Sequence, residues 1–322
     1  MGGSADAAAA LLSTSVVICA YTMLRREQLV SAVGSALAQV PAPDQVLVVI
    51  DHCPELEKAA RDAFVHPQVT VLASEGARGL SAARNTGLAH AHGDVLAFLD
   101  DDAVAEPGWL AAHARHYRDT AVVGVGGFIV PVWEGRRPAW FPSEFGWVVG
   151  CSYLGQPTRT ARVRNPLGAN MSFRRDVLRA VGGFTTTLGR VGESRAGCEE
   201  TELSVRATSA FPGSHVLFDP TAVVRHLVPV SRGTWTYFRG RCWAEGVSKA
   251  EMRRMVASSG VLVTERAYAG RVLPRAVGRY LLQAVRERDA AGAVRAGAVV
   301  AGLGTTTLGF VAGRLRGGRE AS

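Results

Sequence analysis

The feature that most narrows the fold is an alternation of two kinds of segment in the first third of the chain. Short apolar runs at 15–20, 45–50, 69–72 and 95–99 read as strands. Between them, 27–39, 54–64 and 80–91 place apolar residues at helical spacing; the first stops before Pro41 and the second opens on Pro54. Strands alternating with helices predict an α/β fold with a doubly wound, mostly parallel sheet flanked by helices. No Gly-x-Gly-x-x-Gly follows the first run. Cys19-Ala20-Tyr21-Thr22 stands there instead, which argues against a dinucleotide-binding fold. With 322 residues, 48% of them hydrophobic, the chain has enough apolar side chain for a substantial core.

The second half changes character. The run 122–130 is apolar but carries three glycines, and 131–153 is a Pro-interrupted stretch with Trp133, Trp140, Phe141, Phe145 and Trp147. Those rings suit either stacking on a sugar or lipid, or core packing. A strand is expected at 165–173, helices at 174–180 and 198–209, a turn at 182–184, and a strand at 219–225 closed by His226. From 234 to 256 the pattern is helical and basic. Residues 296–313 carry no charge between Arg295 and Arg314. That length is borderline for a membrane span and fits either membrane association or a helical hairpin packed on the domain. The expected organisation is a leader at 1–14 without signal-peptide character, a catalytic domain at 15–230 and a helical C-terminal extension at 231–322.

The net charge is +8, which favours anionic partners. Arginines and lysines concentrate at 159–179 and 232–254, but no nucleic-acid-binding motif accompanies them, so no nucleic-acid partner is expected. The five cysteines are dispersed without a Cys-x-x-Cys pair, so neither a zinc site nor a disulfide framework is expected. Reduced thiols suit the cytoplasm or the cytoplasmic face of a membrane.

Several motifs carry chemistry. Phe98-Leu99-Asp100-Asp101-Asp102 sets three carboxylates where a buried strand leaves the sheet, the edge at which open α/β sheets bind ligands. Adjacent carboxylates repel, and a divalent cation bridging to phosphate is one way to hold them together. The alternative is an Asp-rich loop. Asp51 closes the second strand and suits a base or ribose hydroxyl, or a helix cap. From Glu75 to Gly87 a glycine-spaced loop enters a helix, an arrangement that favours a diphosphate; Arg84 adds charge. Glu199-Glu200-Thr201-Glu202 opens another helix with three acids, suited to capping or to taking a proton from an attacking hydroxyl. His226 could complete a metal site begun by carboxylates.

In this order, with Gly79-Leu80-Ser81-Ala82-Ala83-Arg84-Asn85-Thr86-Gly87, Gly168-Ala169-Asn170-Met171-Ser172-Phe173 and Gly182-Gly183-Phe184, the motifs from Ser15 to His226 resemble family 2 glycosyltransferases of the GT-A fold. The segment beyond Arg232 looks like a bacterial subgroup. The resemblance implies an inverting transfer from a nucleoside-diphosphate sugar, UDP favoured, with Mn2+ or Mg2+. It implies that Ala20, Tyr21, Asp51, Gly79, Arg84, Asp100 and Asp101 contact the donor, and that Asp100, Asp102 and His226 hold the metal. Glu200 would be the base, with Glu199 next. Trp147, Asn170, Gly183 and Phe184 would border the acceptor: a glycan, a lipid-linked sugar or a small molecule. Peripheral membrane contact is expected through 289–313. Two departures stand out. Asp51-His52-Cys53-Pro54 replaces the family's Asp-Asp-Gly-Ser, and the base position carries Glu rather than Asp. The rivals are a catalytically silent scaffold on the same fold and a sugar-nucleotide nucleotidyltransferase. The latter lacks its Gly-rich loop after the first strand.

Overall fold

The computed structural model describes residues 12–188, 197–255, 265 and 267–319; most of the expected leader, 1–11, lies outside them. The first half runs β1 (Thr14–Ala20), α1 (Arg26–Leu37), β2 (Gln45–Ile50), α2 (Pro54–Ala63), β3 (Val69–Ala73), α3 (Leu80–His90) and β4 (Val95–Asp100). The second half adds β5 (Ala103–Ala105), α4 (Trp109–Ala114), β6 (Val122–Trp133), β7 (Ala161–Val163), β8 (Asn170–Arg174), α5 (Arg175–Ala180), α6 (Glu199–Ala210) and β9 (His215–Val228). Three long helices follow: α7 (Trp235–Met255), α8 (Leu273–Arg286) and α9 (Ala290–Arg319).

The sheet order is β3-β2-β1-β4-β8-β6-β9-β5, with β7 also on β9. The first four strands are parallel, as the helical crossovers require. Beyond β4 the sheet is mixed rather than mostly parallel. β8 arrives by a long loop, not a crossover helix, and runs antiparallel to both β4 and β6. Strand alternation feeds two cores. Val16, Ile18, Val46, Val48 and Ile50 meet α1 and α2 on one face; Val17, Leu47, Val49, Leu96 and Phe98 meet α3 and α6 on the other. β9 is longer than its apolar run, because a register shift opposite Gly127 and Phe128 carries the strand past Asp219 and Pro220. The expected strand at 165–173 begins only at Asn170, after a loop.

A buried hydrogen-bond chain binds β6, β8, β9 and α4. The Asn170 amide donates to Phe128 O (3.0 Å) and Ala222 O (2.8 Å). Its Oδ1 therefore accepts, from Trp109 Nε1 (2.8 Å) and His113 Nε2 (2.9 Å). His113 Nδ1 then accepts from Ser172 Oγ (2.8 Å), and Ser172 Oγ accepts from the Tyr117 hydroxyl (2.8 Å). Burial keeps His113 neutral by pushing its pKa down to about 4, so every group in the chain has a complementary partner. Gly127 makes room: a Cβ there would lie 2.3 Å from the Asn170 amide nitrogen.

Most of the aromatic stretch serves packing. Trp140 stands edge-on to Trp235 (5.2 Å) and Phe238 (5.4 Å), and Phe145 meets Phe238 at 5.3 Å. These contacts clamp α7 to the domain. Glu144, fully buried, accepts from the Tyr280 hydroxyl (3.0 Å) and pairs with Arg279, anchoring α8. The uncharged tail is the inner part of α9. A window within Ala290–Arg316 has mean hydropathy 1.5, long and apolar enough to cross a membrane by length and composition, yet one third of it is buried. Its buried side closes on α7 through glycines: a Cβ on Gly309 would come 2.3 Å from Trp243 O, and one on Gly246 would come 2.1 Å from Thr306 O. The opposite side exposes Val300, Leu308, Val311 and Leu315, beside Leu281, Leu282 and Val285 of α8.

Asn170→Ala leaves two buried N–H donors and two carbonyls without partners, each worth about 1–3 kcal/mol. The expected loss is about 3 kcal/mol or more of unfolding free energy, read from denaturant midpoints. A change under about 1 kcal/mol would show the hub to be dispensable.

Candidate functional site

The acid triplet leaves β4 at the carboxyl edge of the sheet, and the next strand decides where each carboxylate points. β5 pairs antiparallel with β9, setting Ala103 opposite His226, and Leu227 N donates to Asp102 O at 2.9 Å. That pairing brings the imidazole to the turn. Ligand atoms of Asp100, Asp102 and His226 all lie within 4.8 Å of one another. His226 Nε2 is 3.1 Å from Asp102 Oδ1. Two carboxylates and an imidazole nitrogen form a donor set that fits Mn2+ or Mg2+.

Charge around Asp102 is dense. Burial works against its ionisation, but His226, Arg25 at 3.0 Å and Arg232 at 3.8 Å hold its carboxyl well below the usual range. His226 answers: burial opposes its charging, and Asp102 outweighs burial and lifts its pKa to about 10, so a divalent cation bound through this imidazole would have to displace its proton. Asp101 turns the other way. It is buried, bonds Arg25 at 3.0 Å, and is pushed up to about 7 by burial and by Asp102. It does not line the cavity that Asp100 and His226 face. Asp101 thus braces Arg25, which reaches Asp102 at the same distance.

A cavity of about 880 Å³ opens in front of these acids. Arg84, Glu199 and Glu200 form part of its wall, with Trp147 opposite on the segment that packs against α7. Arg84 projects from α3, donates to Gly168 O (3.2 Å) and pairs with Glu199 at 3.0 Å, under the Phe184 ring. Glu199 is thereby committed to Arg84. Glu200 is not: no other residue's polar group bonds its carboxyl among the described residues. Burial, and then Glu199, push its pKa up to about 8. The residue before the helix, Cys198, holds φ +75°, a strained conformation for a side-chain-bearing residue. It lets α6 open on Glu199 and Glu200 at the cavity wall.

Other expected residues separate. Ala20, Tyr21, Asp51 and Gly79 gather at the carboxyl ends of β1 and β2, beside the cavity. There Asp51 accepts from Gly79 N (3.0 Å) and contacts His52 (2.8 Å), and Asp51 N donates to Ala20 O (2.7 Å). Three of the expected acceptor residues lie outside the cavity lining. Asn170 is the fully buried hub described above. Gly183 and Phe184 lie behind the wall, where the Asn85 amide bonds both the N–H (2.7 Å) and the carbonyl (2.8 Å) of Phe184, whose ring packs on Phe98. Trp147 alone of the four lines the cavity. The sequence reading did not assign Arg25, Arg232 or Arg241 to the site. Arg232 and Arg241 belong to a basic concentration visible in the sequence; nothing there marks Arg25.

Residues 15–182 match the family described as Glycosyl transferase family 2. A glucosyl-dolichyl phosphate glucuronosyltransferase from Haloferax volcanii is 36% identical over 243 residues, covering 75% of this chain and 77% of that one. A pre-mycofactocin glycosyltransferase from Mycobacterium tuberculosis is 32% identical over 190 residues, 56% of this chain but 37% of its own. Among solved structures, a mannosyltransferase from Pyrobaculum calidifontis in complex with GDP-Man and Mn2+ superposes with a TM-score of 0.58 at 16% identity, over 92% of this chain and 87% of that one. The mixed sheet with its acidic edge is thus the GT-A fold, and the chain belongs to glycosyltransferase family 2.

Proposed function

We propose that this glycosyltransferase moves a sugar from a nucleoside-diphosphate sugar to a hydroxyl of a lipid-linked acceptor, by one in-line displacement that inverts the anomeric centre. The observation carrying this reading is Glu200, an uncommitted carboxyl on the wall of the cavity that Asp100 and His226 also face. Family membership favours it over a silent scaffold or a nucleotidyltransferase. Asp100, Asp102 and His226 would hold Mn2+ or Mg2+, which when bound neutralises charge on the leaving diphosphate. Arg25 and Arg232 keep Asp102 ionised for that role. Ala20, Tyr21, Asp51 and Gly79 would receive base and ribose, with UDP-sugars the first donors to try. The Arg84–Glu199 pair fixes the first turn of α6 against α3. Glu200 takes the acceptor's proton as its oxygen attacks, and Trp147 offers a ring face to the acceptor sugar.

The acceptor class rests on two supports. The relative from Haloferax volcanii is named for a dolichyl-phosphate-linked substrate, and this chain exposes apolar side chains across α8 and α9. Because α9 is locked to α7 by close backbone contacts, we assign it to lie on the membrane surface rather than to cross it. Val285 (78% exposed), Leu315 (68%) and Leu308 (63%) would enter the lipid interface, with Arg286, Arg314 and Arg316 meeting anionic head groups.

Four outcomes test the proposal. Asp100 is the cleaner metal-site variant: its side chain is 30% exposed and its neighbour Arg84 keeps Glu199 as a partner, whereas Asp102 is 5% exposed and faces Arg25, Arg232 and His226. Asp100→Asn should abolish the Mn2+-dependent stabilisation by a nucleoside-diphosphate sugar, about 2.7 kcal/mol at a hundredfold excess over Kd; retained stabilisation counts against the site. Glu200→Gln should lower kcat by about 10²–10⁴-fold with donor binding intact. In the wild type, kcat/KM should rise with pH through an apparent pKa near 8, because the raised pKa leaves the base protonated below it. A profile flat from the ordinary carboxylate range upward would remove Glu200 from the role. Leu308→Glu/Val311→Glu/Leu315→Glu should release the protein from phosphatidylglycerol vesicles in flotation; undiminished flotation would refute interfacial docking.

A further inference from the structure

Resting on the transferase reading, we infer that the cavity contains a subsite for the acceptor's phosphate, built by Arg162, Arg271 and Arg275 at its rim with Arg241 buried behind them. The four guanidiniums come from separate elements: β7, the π-helical turn Tyr268–Val272, α8 and α7. All four line the cavity that holds Glu200.

The charge on this wall is unbalanced. Glu245 meets Arg241 (3.0 Å) and Lys249 (3.2 Å), and Glu265 meets Lys249 (3.2 Å) and Arg164 (2.6 Å). Two carboxylates thus already face three cations. Arg162, Arg271 and Arg275 add three more and have no ion pair or hydrogen bond among the described residues. A neutral acceptor hydroxyl has no use for such an excess; a phosphate does.

Arg241 supplies the independent observation. Its side chain is only 9% exposed, yet its Nε and Nη1 have no hydrogen-bond partner. Glu245 approaches Nη1 to 3.0 Å but out of line with an N–H. A buried guanidinium with free N–H groups is costly unless an anion completes it. It also lies 5.9 Å from the Trp147 ring centroid, so a phosphate on Arg241 would sit close to the ring proposed for the acceptor sugar. On the same cavity wall Leu303 and Phe310 of α9 are apolar, and α9's outer face carries the exposed Leu308 and Val311. A cationic rim beside an apolar wall fits an amphiphile with an anionic head, a prenyl phosphate.

The test measures binding of farnesyl phosphate and farnesol to the full chain, wild type and Arg162→Gln/Arg271→Gln/Arg275→Gln. All three positions are exposed and have no ion pair or hydrogen bond among the described residues, so the fold is not at stake. The wild type should prefer the phosphate by about tenfold or more, and the variant should lose that preference. A wild type without preference, or a variant that keeps it, overturns the subsite. So does a preference for UDP-glucuronate over UDP-glucose that disappears in the variant, since the anion would then belong to the donor. Mn2+-dependent stabilisation of the wild type by UDP-sugars, measured in parallel, tests the transferase reading separately.

Discussion

The site depends on one short pairing, three residues of β5 against β9. Without it Asp100 and Asp102 would be two carboxylates on a flexible turn, repelling each other in water. The pairing fixes that turn from both sides, by the ladder after Asp102 and by the Leu227 amide on its carbonyl. It carries a histidine from the far end of the domain into the same small volume. Arg25 and Arg232 complete the balance, so that the carboxylate is held charged before any substrate arrives. A backbone ladder does the positioning and the guanidiniums do the electrostatics.

A second requirement is that the sheet beneath this edge does not shift. β8 is the strand that joins the parallel half to the mixed half, and Asn170 at its start ties it to β6, β9 and α4. The four contacts of that amide leave it nothing to offer a ligand. The Arg84–Glu199 pair plays the same part on the other side of the cavity. It joins α3 to α6, whose sequence positions are far apart, and places Glu200 by fixing the residue before it.

Much of this was legible in the residues. Short apolar runs separated by helical spacing give the parallel half of the sheet, and the acids fall at its carboxyl edge because the apolar run ends there. The order of the motifs names the family. What the residues hide is direction. Asp101 and Asp102 are adjacent and chemically identical, and both reach Arg25, but only the second also meets His226. Asn170, Gly183 and Phe184 sit in motifs that mark a family without saying whether a member touches substrate or holds the wall. The mixed half of the sheet was hidden too, because β8 and β9 pair across long separations and a bulge extends β9 beyond its apolar run. The tail was ambiguous for a physical reason: glycines that lower its hydropathy are the residues that let α9 close on α7.

That closure divides the cavity by origin. Its acidic edge belongs to the sheet, while the wall behind Glu200 is lent by α7, α8 and α9, and the family match ends at residue 182, before any of them. The cavity is thus built from two parts of the chain, and residues from both line it. A change confined to α7, α8 and α9 would therefore reshape that wall while leaving the sheet edge, with Asp100, Asp102 and His226, as it is.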